Sequence, residues 1–332
     1  RYANAVLRRV AERELDAWLA EVAPPAGTDP IGRLTVVHSH PRWVVTAFAD
    51  ALGGDLAEVE RLLVADNAAP QLSLVARPGL ATVAELEGLG AVPGRWSPYA
   101  ATLEHGDPAT LPPVRAGRAG VQDEGSQLVA LAVANAPIEG RDARWLDLCA
   151  GPGGKAALLA ALAAQRDAVL LAAERAPHRA KLVANALRGS AAAAQVVIAD
   201  GTEPAWPAGS FDRVLVDVPC TGLGALRRRP EARWRRQPAD LATLRPLQAK
   251  LLAAAANAVR PGGLVGYITC SPHLAETRLV VSDVRRGRTD LEPIDARPYL
   301  PGVPDLGDGP AVQLWPHRHG TDAMYLALLR RT

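Results

Sequence analysis

From about Glu124 onward the chain alternates short apolar runs with helical stretches, and this rhythm constrains the fold more than any other feature of the sequence. The runs are "ARWLDLC", "AVLLAAE", "QVVIA", "RVLVDV" and "GLVGYIT", separated by helix-forming segments at about 155–165, 177–188 and 240–259. Strands of this length, continuously apolar and joined through helices, pair in parallel and are covered on both faces. The expectation is an α/β domain over residues 119–332 with a mostly parallel sheet. In such sheets ligands bind beyond the carboxyl ends of the strands. The residues closing each strand therefore define the chemistry.

Upstream the pattern is different. Residues 1–30 read as a charged amphipathic helix, with Ala5, Leu7, Val10, Leu15, Trp18 and Leu19 on its apolar face, followed by the linker "PPAGTDP". Residues 31–118 mix short helices ("VVTAFADALGG", "LAEVERLLVA") with strand-like pieces ("QLSLVAR"), which predicts a small α+β domain. No apolar run is long enough to span a bilayer and the start is not a secretory signal, so a cytoplasmic protein without a membrane partner is expected. The three cysteines, Cys149, Cys220 and Cys270, lie far apart with no CxxC pair, which argues against a disulfide framework or a zinc knuckle. A formal charge of only +2 means that any affinity for nucleic acid must come from local patches. Lysine occurs only at 155, 181 and 250, so a lysine inside a glycine loop stands out.

The strand ends carry the signal. The first closes with "DLCAGPGGK", in which Gly151, Gly153 and Gly154 permit a tight turn and close approach of a ligand to the next helix N-terminus. The second closes with Glu174, spaced as an acid that grips ribose hydroxyls, and the third with Asp200 and Gly201, where a carboxylate can meet an adenine amino group. Together they indicate an adenosine-containing cofactor. A P-loop fits poorly, because Cys149 takes the place of its first glycine and Ala156 follows the lysine; a loose dinucleotide fingerprint remains open. The fourth strand closes with "DVPC" and the fifth with "TCS". A lone buried cysteine is most simply a small hydrophobe. Two thiols at the ends of adjacent strands point instead to chemistry.

"DLCAGPGGK", "ERAPHRAKLVANALR", "ADG", "DVPCTGLGALRRRPEARWRR" and "YITCS" together resemble the successive motifs of the RNA cytosine-5 methyltransferases of the NOL1/NOP2/Sun group, and "SHPRWVV" and "VQDEGSQL" resemble its bacterial ribosomal RNA branch. The resemblance covers essentially the whole chain. It implies a Rossmann-like class I methyltransferase fold with a seven-stranded sheet, S-adenosyl-L-methionine as cofactor, and a cytosine of small-subunit ribosomal RNA, unassembled or partly assembled, as substrate. Residues 1–30 would be the tail of a NusB-like helical domain and 31–118 an RRM-like RNA-binding domain. Cys270 would be the attacking nucleophile and Cys220 the residue assisting product release. Asp217 would hold the base or the reacting end of the cofactor, and Lys155 would pair with the methionine carboxylate or act near the base, the former being favoured. Cys149, Ala150, Gly151, Pro152, Gly153, Gly154, Lys155, Glu174, Arg179, Asp200, Gly201 and Asp217 would line the cofactor site, Cys149 in a structural part. Glu174 replaces the commoner aspartate, and "TDAMY" near the C-terminus departs from the family pattern, as expected for a packing change in the last strand. A monomer needing no metal is expected.

Arg227, Arg228, Arg229, Arg233, Arg235 and Arg236 follow the first thiol motif directly. Most such clusters are solvated charge; here the position suits holding RNA phosphates, with Trp234 expected to anchor the loop. His317 and His319 lack an acidic partner for a metal. Other readings are an N-methyltransferase, which would carry an aromatic where Cys220 stands, a nicotinamide oxidoreductase, which leaves the thiols idle, a transfer-RNA methyltransferase, and a non-catalytic RNA-binding assembly factor.

Overall fold

The computed structural model describes every residue except Arg1 and Pro204, and Ala191 by its backbone alone. The opening amphipathic segment is two helices, Tyr2–Val10 and Leu15–Val22, rather than one. The Trp18 indole N–H donates to the Val10 carbonyl at 3.0 Å, and the Arg13 guanidinium lies 4.4 Å from the Trp18 ring. That side-chain cap satisfies a terminal carbonyl and ends the first helix. Neither helix buries a residue fully; of the expected apolar face Leu7, Val10 and Leu15 stay exposed, while Trp18 and Leu19 are partly covered.

Helices Pro30–Val37, Arg42–Ala51 and Leu56–Asn67 follow, two of them capped by Asp29 and Asp55. Their apolar stripe (Val44, Phe48, Leu62, Leu63) forms one core with Leu223, Leu226, Trp315 and Ala323 from far along the chain. Next comes an antiparallel sheet of β1 (Leu72–Ala76), β2 (Ala91–Pro93), β3 (Ala100–Leu103) and β4 (Ala119–Val121), in the order β2-β3-β1-β4. With helices Val83–Glu87 and Pro112–Arg115 between the strands this is a β-α-β-β-α-β unit. Leu74 and Ala76 face its own core, whereas Val75, on the opposite face, packs into the core of the following domain.

The second sheet holds β5 (Arg144–Asp147), β6 (Val169–Glu174), β7 (Ala194–Ile198), β8 (Phe211–Asp217), β9 (Val259–Thr269), β10 (Leu291–Ile294) and β12 (Tyr325–Arg331), in the order β10-β12-β9-β8-β5-β6-β7. A short β11 (Val312–Gln313) pairs with β12 off this path. The pairs from β7 through β9 are parallel, while β12 enters antiparallel between β9 and β10. All five strands expected from the apolar runs are present. Helices Glu124–Asn135 and Gly154–Ala164 supply the core of one face, and Asp240–Ala258 with Arg278–Arg286 that of the other. The strand order reverses at β5, so the loops after β5, β6, β7, β8 and β9 open on one rim.

Close packing leaves no room for a side chain at Gly266 in β9, where a Cβ would lie 2.2 Å from Val133 Cγ2. Gly266→Ala is expected to destabilise the protein by about 1–3 kcal/mol through overpacking, measurable as a lower melting temperature; an unchanged melt would contradict this packing.

Candidate active site

The register of β8 on β9 sets Asp217 beside Ile268, so both strands end at the same level. Their loops emerge side by side, and the Sγ atoms of Cys220 and Cys270 come within 3.4 Å. The Val218 N–H donates to the Ile268 carbonyl and the Gly224 N–H to the Cys270 carbonyl, at 3.0 and 2.9 Å, while the Ala323 N–H donates to Gly224 at 2.8 Å. A Cβ at Gly224 would sit 2.3 Å from the Ala323 carbonyl and 2.8 Å from that of Cys270, so only glycine lets these three segments close together. The hydrogen bond to Cys270 and then burial push the Cys220 thiol well above its ordinary range. The Cys220 thiol is therefore held in its protonated form.

The adjoining space is lined by acids. The Lys155 ammonium donates to Asp217 at 2.8 Å, both side chains being mostly buried. Burial works against the Lys155 charge, but the charge and hydrogen bond of Asp217 outweigh it, with further support from Cys270. Lys155 is thus engaged with Asp217 on the thiol side of the rim. Asp147, at the end of β5, was not singled out from the sequence. Burial first and the charge of Asp217 second push its carboxyl up to about 7. A buried acid next to Gly-rich turns was legible only as a strand end. Gln122, from the "VQDEGSQL" segment, lies against Gly154 and is 6% exposed. Its Oε1 is buried and has no hydrogen-bond partner among the described residues.

The glycine loop is held as the sequence suggests. The Gly153 φ of 112° is open to glycine, and there a Cβ would meet Ala186 at 2.7 Å. At Gly151 a Cβ would strike Glu174 Oε2 at 2.2 Å. Glu174 accepts from the Gly151 N–H at 3.2 Å and the Ala176 N–H at 2.9 Å, and Arg179 donates to the Gly151 carbonyl at 2.6 Å. The Ala150 N–H donates to Ala173 of β6, Pro152 is exposed, and Gly201 packs against Leu148 and Leu251. Asp200 is partly exposed, and hydrogen bonds from the Thr202 hydroxyl and N–H hold its carboxyl below the usual range. Cys149 is half-buried, its thiol pushed well up by burial and the Asp147 charge.

The arginine cluster divides in two. Arg227 and Arg228 both pair with Asp123 and Asp322 at 2.7–3.0 Å. Arg233 is 4% exposed and donates to Asn67, the Ser39 carbonyl and the Asp66 carbonyl. These three are therefore internal braces rather than a phosphate-facing surface. Asp322 belongs to the departure "TDAMY", which is more than a packing change. Arg229 and Arg235 are exposed, and Arg236 forms only a long 3.6 Å pair with Asp240. Trp234 is 58% exposed, so it does not anchor the loop as expected. His317 bonds Glu58, and the two nitrogens of His319 are taken by the Trp315 N–H and the Pro304 carbonyl.

A family model described as 16S rRNA methyltransferase RsmB/F matches residues 133–330. The chain belongs to the RsmB/F methyltransferase family. This methyltransferase is 55% identical over 332 residues to a protein of Mycobacterium tuberculosis named as a methyltransferase, a match covering 99% of the chain and 72% of that relative. It is 33% identical to the ribosomal RNA small subunit methyltransferase B of Xylella fastidiosa, covering 99% of the chain and 73% of that protein. A solved methyltransferase homologue from Pyrococcus horikoshii superposes with a TM-score of 0.74 at 21% identity, over 92% of the chain and all of that structure, and so shares the Rossmann-like fold.

The raised Asp147 gives this methyltransferase a readable pH dependence. Its carboxyl holds a proton in the folded state from about pH 4 to about pH 7 that the unfolded chain has already lost. Stability therefore falls as pH rises through that window. Asp147→Asn is expected to lose less melting temperature between pH 5 and pH 8 than the wild type, the similarly raised Asp66 contributing equally to both. Equal losses would contradict the assignment.

Proposed function

We propose that this methyltransferase transfers a methyl group from S-adenosyl-L-methionine to carbon 5 of a cytosine in small-subunit ribosomal RNA, through a covalent adduct with Cys270. The observation that carries the reading is the pair of sulfurs 3.4 Å apart at the carboxyl ends of β8 and β9, next to the Lys155–Asp217 pair. The names of relatives such as the Xylella protein favour ribosomal RNA.

The residues fit the cofactor. Asp147, Asp217 and Glu174 gather beside the glycine loop, and this acidic surrounding suits a cationic adenosyl ligand. Glu174 and Asp200 would meet the adenosine portion, with Gly151, Gly153 and Gly154 allowing close approach; the buried Gln122 Oε1 is free to accept from an ammonium or amino group. When bound, the cofactor supplies a methyl group on a sulfonium.

Cytosine carbon 5 is a poor nucleophile. The Cys270 thiolate adds to carbon 6, forming a sulfur–carbon bond and moving electron density onto carbon 5, which takes the methyl group. A base then takes the carbon 5 proton, the freed electron pair restores the 5,6 double bond, and the carbon 6–sulfur bond breaks with Cys270 leaving as thiolate. Lys155 favours the thiolate by its positive charge, and Asp217 orients both lysine and base. Cys220, holding its proton beside Cys270, assists release.

On this reading the β1–β4 unit with its helices contributes to RNA binding. Its strands carry no aromatic residue, and β1 sends Val75 into the catalytic core, so bases do not stack on that sheet. Arg229, Arg235 and Arg236 hold phosphates, with the exposed Trp234 free to stack on a base.

In a panel of unmodified transcripts, small-subunit ribosomal RNA is expected to acquire 5-methylcytosine; methylation of transfer RNA alone would overturn the substrate. Cys220→Ala should accumulate a protein–RNA adduct on denaturing gels and Cys270→Ala should form none. The opposite pattern would exchange the two roles. Arg235→Ala should weaken RNA binding and lower its salt dependence by about one ion, whereas an unchanged salt slope would remove this residue from the RNA surface.

A further inference from the structure

Glu276 lies just past the second thiol motif, in the short turn Leu274–Glu276, and is completely buried. Its carboxylate accepts from the Thr221 N–H at 2.8 Å and from the Thr221 hydroxyl. It also accepts from the Ser271 hydroxyl at 2.7 Å and from the Gln248 amide at 3.0 Å. All four donors are neutral groups. Thr221 follows Cys220 and Ser271 follows Cys270, so one carboxylate ties together the residues next to both sulfurs. Gln248 adds a third element, because the same amide also donates to the Pro219 carbonyl at 2.8 Å, on the other side of Cys220. The Tyr267 hydroxyl donates to the Glu276 carbonyl at 2.7 Å and so fixes the turn to β9.

We propose that Glu276 is a positioning residue of the reaction, a single carboxylate that locks the two cysteine loops to each other and makes their sulfurs unequal, so that the thiols take different parts. The proposal rests on the cysteine-adduct reading above. Burying a carboxylate with no cation is costly, and a fold that needed only packing would place an apolar residue there. What the carboxylate adds is direction and charge. Four donors converge on two oxygens and fix the backbone on either side of the sulfurs. The charge itself is asymmetric in effect. Behind the hydrogen bond to Cys270 and burial, the Glu276 charge is among the influences that keep the Cys220 thiol protonated. Lys155, held by Asp217, interacts electrostatically with Cys270. A negative group behind one thiol and a positive group beside the other set up a donor and a nucleophile from two identical side chains.

The test is the alkylation rate of each cysteine in the protein without RNA, resolved by peptide mass spectrometry, for wild type and Glu276→Gln. Iodoacetamide is the probe, and Cys149 is the internal reference. The wild type should alkylate Cys270 faster than Cys220, and Glu276→Gln should reduce that ratio by roughly tenfold, the equivalent of one pKa unit. In turnover the same variant should lower kcat by about tenfold while leaving the KM for the cofactor unchanged. It should also accumulate RNA adduct, as Cys220→Ala does. A lower melting temperature with an unchanged alkylation ratio would reduce Glu276 to a structural residue and overturn the proposal. Thr221→Val and Ser271→Ala each remove one hydroxyl donor and should move the ratio in the same direction by a smaller amount. If Glu276→Gln does not fold, a wild-type ratio in both of these variants overturns the proposal. A shifted ratio in a protein that methylates no cytosine would instead support Glu276 and refute the reaction.

Discussion

Parallel pairing of β8 with β9 is the constraint on which the site depends. Because Asp217 is level with Ile268, the two loops leave the sheet at the same height and their cysteines cannot avoid each other. A slip of one residue would turn every side chain of one strand to the opposite face and separate the sulfurs. The register is fixed in turn by the cores on both faces of the sheet, and by Gly266 and Gly224, which admit neighbours that a methyl group would push away.

Charge is the second organising factor. One rim gathers Asp147, Glu174, Asp200 and Asp217, with Lys155 paired to Asp217, and Asp147 and Asp200 are shifted in opposite directions by their surroundings. Asp200 is held low by two hydrogen bonds, whereas Asp147, deep and without a bonded cation, is driven up. Such divergence among neighbouring acids marks functional sites more often than structural ones. The arginine-rich segment that follows is split the same way. Asp123 and Asp322 draw Arg227 and Arg228 inside, which braces the thiol loop against the "VQDEGSQL" segment, and leaves Arg229 and Arg235 outside.

Much of this was legible in the sequence because it is local. Apolar runs marked β5 to β9, and the residues closing them gave the glycine loop, Glu174, Asp217 and both thiols. What was not legible depends on partners distant in sequence. Nothing near Arg227 or Arg233 announces that Asp322 or Asn67 will meet it, so six arginines read alike. Trp234 looked like an anchor because tryptophan is usually buried, yet its helix turns it outward. Glu276 gave no sign at all, since its partners Thr221 and Gln248 lie 55 and 28 residues away. The single opening helix failed for a related reason: an indole reaching back to Val10 broke it without glycine or proline.

The central claim is that Cys270, rather than its neighbour 3.4 Å away, forms the bond to the base. It is tested most directly with ribosomal RNA carrying 5-fluorocytidine: a base cannot take fluorine from carbon 5 as it takes a proton, so the adduct persists after methyl transfer. Peptide mass mapping of the trapped wild-type complex should place the modified nucleotide on Cys270. A nucleotide on Cys220, or methyl transfer with no adduct, would contradict the account.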